Sequence, residues 1–134
     1  MKKKLNLVLA GCCAIAVAMS CKKDNVKMTT QPSRKVRFQL YTNQDFSSDN
    51  SIITFSVFIR NANHVIFDST LTPMEIKAIP HSSNKLVIEK KIPGNEQADL
   101  IVGFRYEIQN VGNSAFVDTI KAGNPLKVLD YDFQ

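Results

Sequence analysis

Beyond residue 35 the apolar positions recur at every second residue, the period of a pleated strand with one dry face. Val36, Phe38 and Leu40 alternate with Arg37 and Gln39, which predicts a strand with one wet face. In 51–60, Ile53, Phe55, Val57 and Ile59 share one face, and Ile52, Thr54, Ser56, Phe58 and Arg60 share the other. Both faces are partly apolar, so this strand is expected at the centre of a sheet. Asn61-Ala62-Asn63 reads as a turn and 65–69 as the return strand. Residues 86–91 alternate again and stop at the turn signal Pro93-Gly94-Asn95. Leu100, Val102, Phe104, Tyr106 and Ile108 form the longest clean alternation in the chain. Asn110, Gly112 and Asn113 mark a hairpin loop, 115–120 returns, Gly123-Asn124-Pro125 turns, and 126–133 closes the chain. The stretch 71–80 stays open between two readings. Thr72-Pro73-Met74-Glu75 fits a capping box with Pro at the first helical position, yet Pro80 limits it to one helical turn or a short edge strand.

Seven or eight short strands separated by turn signals, without a long amphipathic helix, predict an all-β fold: an antiparallel sandwich of two sheets. About one hundred residues bury enough apolar surface for a core without covalent staples. The strand pattern resembles immunoglobulin-like and fibronectin type III domains. The Cys…Trp…Cys signature of true immunoglobulin domains is absent, since the chain has no Trp and residues 22–134 have no Cys. A transthyretin-like topology stays open beside it.

The first residues follow a different pattern. Lys2, Lys3 and Lys4 precede 5–20, where 13 of 16 positions are apolar and the exceptions are Asn6, Gly11 and Ser20. A membrane-spanning helix needs about 20 apolar residues, so the layout reads as a secretory signal. It ends at Ala18-Met19-Ser20-Cys21, which resembles the lipobox of bacterial lipoproteins. That resemblance implies a diacylglyceryl group on the Cys21 thiol, cleavage just before Cys21, and acylation of the new amine. Leu9-Ala10-Gly11-Cys12 is a second lipobox-like string, but cutting there leaves an apolar segment of only about seven residues. Cys21 sits where the apolar run meets Lys22-Lys23-Asp24, and is the preferred site. Two or more acyl chains hold a protein stably on a bilayer. The expected organisation is a signal peptide over 1–20, the lipidated Cys21 and a polar flexible tether over 21–34, and one sandwich domain over 35–134. The expected location is the bacterial envelope, with the outer membrane preferred and its side open.

Charge follows the same division. The chain has 17 basic and 12 acidic residues, a formal +5, but 35–134 holds ten basic against eleven acidic. The excess belongs to the leader and tether, so nucleic-acid binding is not expected of the domain. His64 and His81 lie in turns without metal-ligand spacing, and the domain lacks a GxSxG string, a glycine-rich phosphate loop and a Cys nucleophile. No cofactor, metal or catalytic residue is therefore expected. Asp130 and Asp132 share a strand face, and Asp45 and Asp49 flank the 42–50 loop, so a calcium-dependent or hydrolytic module on the loops is a minor alternative. Within that loop Phe46 is the single large apolar residue, with Tyr41 at its edge. These two are the candidate contacts for a protein or glycan, unless Phe46 folds back to cap the core. Asp68-Ser69-Thr70 and Asp118-Thr119-Ile120 resemble bacterial O-glycosylation signals, making Ser69 and Thr119 candidate acceptors. The expectation is a non-enzymatic, membrane-anchored lipoprotein with a binding domain, or alternatively an accessory subunit of an envelope complex.

Overall fold

A computed structural model describes residues 33–94 and 96–134. The signal segment, both lipobox strings with Cys12 and Cys21, and the tether up to residue 32 lie outside the described residues. Eight strands are present: β1 (Lys35–Tyr41), β2 (Ile52–Arg60), β3 (Val65–Thr70), β4 (Met74–Glu75), β5 (Leu86–Lys91), β6 (Leu100–Ile108), β7 (Gly112–Ile120) and β8 (Leu126–Asp132). They form two sheets. One has the order β5-β1-β8; the other runs β3-β2-β6-β7, with β4 pairing β2 beyond the end of β3. All pairs are antiparallel except β1 with β8, which runs parallel with Lys35 opposite Leu126.

The alternating apolar residues of both sheets meet in one core. Val36, Phe38, Leu40 and Leu129 from the smaller sheet face Ile53, Phe55, Val57, Ile59, Leu100, Val102 and Phe104 from the larger. Phe38 and Phe104 touch edge to face across the gap, their ring centroids 5.6 Å apart. Each such side chain contributes roughly 1.5–3 kcal/mol on leaving water. β2 is central, as its two partly apolar faces require, with β3 and β4 on one side and β6 on the other. On its outer face Phe58 is only 6% exposed, because it lies over Gly103 on β6. The 71–80 stretch takes both short forms in turn: the two-residue β4, then a single 3-10 turn over Ile76–Ala78.

Arg34, counted with the tether in the sequence, is part of the body and 3% exposed. Its guanidinium donates to the carbonyls of Ala98 (2.7 Å) and Lys121 (3.1 Å), and at 3.3 Å to those of Glu96 and Ile120. It thereby ties the β5–β6 and β7–β8 loops to the start of β1, and defines the end of the sandwich at which the chain enters.

Candidate functional site

The outer face of the five-stranded sheet carries an open depression. Register explains its composition. Thr54 stands opposite Glu107 and Ser56 opposite Arg105 across β2 and β6; Ser56 also faces Thr70 on β3, and Glu107 faces Asn113 on β7. Because side chains alternate, these six all point outward. They line an open groove of about 470 Å³, which is shallow rather than enclosed. Ser56 and Thr70 join hydroxyls at 2.9 Å. Arg105 pairs with Asp68, and its guanidinium carbon lies 5.3 Å from the Phe58 ring centroid. Arg60 covers the same ring at 5.6 Å. Phe58 is therefore a support for two guanidinium groups, not an open stacking platform.

In chemical terms the groove offers hydroxyls, one carboxylate, one amide and one guanidinium on a rigid sheet. That set donates and accepts hydrogen bonds and suits a polar ligand with several hydroxyl or amide groups.

The residues singled out in the sequence are dispersed. Phe46 is half-buried and packs back on the core, 5.5 Å from the Phe133 ring, which in turn meets Phe55 and Tyr106. Its loop is built from local bonds: Asp45 accepts from the Ser47 N–H (3.0 Å) and Asp49 from the Ser51 N–H (2.8 Å). Both carboxyls are held below their ordinary range, chiefly by those serines. Tyr41 lies on the outer face of the three-stranded sheet, under the Lys85 ammonium at 4.0 Å. Lys85 also pairs with Asp130 at 2.7 Å, which raises its pKa. Asp132 accepts from the Asn43 amide at 2.9 Å. Asp45, Asp49, Asp130 and Asp132 thus each serve a local contact, and among the described residues no group of three or more His, Cys, Asp or Glu could hold a metal.

His64 lies 3.5 Å from Glu96, whose carboxylate also accepts from Asn61 at 3.0 Å. This His–carboxylate pair braces two loops beside Arg34. His81 begins a 3-10 turn at the other end. Ser69 and Thr119 are both exposed, on the outermost strands β3 and β7 of the larger sheet. Asp68 is committed to Arg105 and Asp118 to Lys127.

The groove is what reasoning from the sequence did not single out. Its signal was present in the outward parity of Thr54, Ser56, Arg105 and Glu107. Parity alone does not say that β2 and β6 are neighbours, and the convergence depends on that pairing. No protein-family model, curated protein or solved structure matches the chain.

Proposed function

We propose that this is a lipoprotein of the bacterial envelope whose β-sandwich is a non-enzymatic binding module, anchored through acylated Cys21 and engaging a polar protein or glycan partner on its five-stranded sheet. The observation that carries the binding half is the groove walled by Thr54, Ser56, Thr70, Arg105, Glu107 and Asn113. The anchoring half rests on the apolar run that ends at Cys21. The strand order supports an immunoglobulin-like kinship. β1 and β5 correspond to strands B and E of that fold, and β2, β6 and β7 to strands C, F and G. β8 occupies the place of strand A but runs parallel to its neighbour, a departure from that plan. Ser69 and Thr119 are the hydroxyls proposed for O-glycosylation, since both are exposed and each follows an Asp.

The experiment is one strain set labelled with a fatty acid and screened on a glycan and peptide array. Cys21→Ser should lose the label and leave the membrane fraction, while Cys12→Ser keeps both. Glu107→Gln with Asn113→Ala should weaken array binding about tenfold, as expected for two lost polar contacts. Label retained in Cys21→Ser would sink the anchor, and unchanged array binding would sink the groove.

The accessory-subunit reading has one observation in its favour. β7 is an edge strand nine residues long, and Phe116 and Val117 on it are 37% and 51% exposed. Natural edges are usually guarded by charge or proline. A purified chain that runs as a stable larger assembly would favour that reading.

A further inference from the structure

Strand register sorts the charged side chains of the body by end. Around the point where the chain enters at Arg34 lie Lys35, Arg60, Lys90, Lys91, Lys121 and Lys127, against Glu96, Asp99 and Asp118. Around the opposite end lie Asp45, Asp49, Glu75, Glu107, Asp130 and Asp132, against only Lys77 and Lys85. Between them, Arg37 pairs with Glu89 and Arg105 with Asp68, and these cancel. The described body is near-neutral in total, yet it is polarised along its strands: basic at the entry end, acidic at the far end.

The basic end also sets two like charges against each other. Lys35 and Lys91 stand directly opposite each other across β1 and β5. Like charges so placed on an exposed sheet face destabilise it. Among the described residues neither makes an ion pair, and nor do Lys90 and Arg60, whose charges rest over Phe67 and Phe58.

From this we infer that the entry end is a docking surface for an anionic phospholipid bilayer, which holds the sandwich upright with its acidic end outward. The inference rests on the anchor reading for Cys21, because an acylated Cys21 brings this end, and not the other, to the membrane. Residues 22–33 reach at most about 40 Å when extended, so the entry end is tied to the anchor by a span comparable to the length of the sandwich. Each Lys or Arg near an anionic surface strengthens attachment about fivefold, and salt screens the effect. Lys35, Lys91, Arg60 and Lys90 supply that attraction, and their mutual repulsion is relieved by the headgroup phosphates.

The test is amine acylation of the full chain reconstituted in vesicles, with each lysine followed by mass spectrometry. On vesicles containing phosphatidylglycerol at low salt, Lys35 and Lys91 should react about fivefold more slowly than on phosphatidylcholine alone. High salt should abolish the difference, and Lys77 at the far end should react equally on both. Lys35→Gln with Lys91→Gln should reduce the protection of Lys90 on the anionic vesicles. Equal labelling of Lys35 and Lys91 on both surfaces would overturn the inference. So would protection of both ends together irrespective of lipid charge, which would mean that copies stack basic end on acidic end. The mass of the intact chain reports acylation separately. A chain without acyl groups would overturn the anchor, and mixing it with the same vesicles would still read the docking surface.

Discussion

Arg34 carries the one buried formal charge among the described residues, and its geometry shows why arginine is required there. A planar guanidinium always carries its charge and presents its donors as a fork. Here the two terminal nitrogens each address one loop, through Ala98 and Glu96 on one side and Lys121 and Ile120 on the other. Nε is buried without a protein partner, so the side chain is held by four carbonyls and no carboxylate. Arg34→Met should cost about 3 kcal/mol in urea unfolding, since it removes charged hydrogen bonds and strands buried acceptors. Arg34→Lys should recover less than half, because one ammonium cannot span both loops. A loss below about 1 kcal/mol would mean that the loops hold themselves. Phe46 poses a similar question at the opposite end. Its ring rests on Phe133 and is only half-buried. Phe46→Ala should therefore lower stability by about 2 kcal/mol, roughly half the loss for a fully buried Phe. A thermal melt unchanged by that substitution would free Phe46 for a ligand role.

At the scale of the elements, the outer face of β2 and β6 depends on one glycine. A methyl group at Gly103 would lie against the Phe116 carbonyl oxygen on β7 and 2.9 Å from Phe58 Cζ. Backbone on one side and a ring clamped by Arg60 and Arg105 on the other leave it no room. Gly103→Ala should cost about 2–3 kcal/mol by overpacking, and the near-ultraviolet aromatic signal should change with it. A neutral result would show that Phe58 swings away freely. The alternation of apolar residues made β1, β2 and β6 legible, because each keeps a fully apolar inner face; β5 and β8 were legible from Leu86, Ile88 and Leu129, although Lys90 and Lys127 take their inward positions at the entry end. β7 was legible only from Ala115, yet it starts at Gly112. Gly112-Asn113-Ser114 belongs to an exposed edge, where no burial imposes a pattern on the residues. The tight turn before it was visible: Asn110 adopts φ 62°, and Val111 N–H closes on the Ile108 carbonyl at 3.0 Å. β4 was visible only as one of two open readings of 71–80, a short edge strand or one helical turn, since two residues carry no period and their pairing with Ile52 and Ile53 is long-range. Arg34 was missed for a related reason. A polar residue just ahead of an apolar run reads as a linker, and only the folded loops give it acceptors.

For the whole molecule, the surface charges set how stability responds to pH. Five carboxyls are held below their ordinary values by named partners: Asp45 by Ser47, Asp49 by Ser51, Glu89 by Arg37, Asp99 by Lys121 and Asp118 by Lys127. In the unfolded chain these groups titrate near 3.8 for Asp and 4.5 for Glu. Below those values the unfolded state binds more protons than the folded one, so stability rises with pH across this interval. Their contribution is complete above the unfolded values and is lost as pH falls through the folded ones. The lysines run the other way. Lys85 and Lys121 are raised above 10.5 by Asp130 and Asp99, so their contribution is complete below 10.5 and is lost as pH climbs past the raised values. All of these pairs face solvent and each contributes little, which makes the acid loss gradual rather than abrupt. Acid also removes the negative end of the molecule while the basic end keeps its charge, and the resulting self-repulsion adds to the slope. Thermal melts followed against pH should therefore give a plateau between the two ranges, with a decline that begins only as pH drops below about 4.5 and flattens in high salt. A melting temperature that already falls well above the carboxylate range would assign the acid response to some other group.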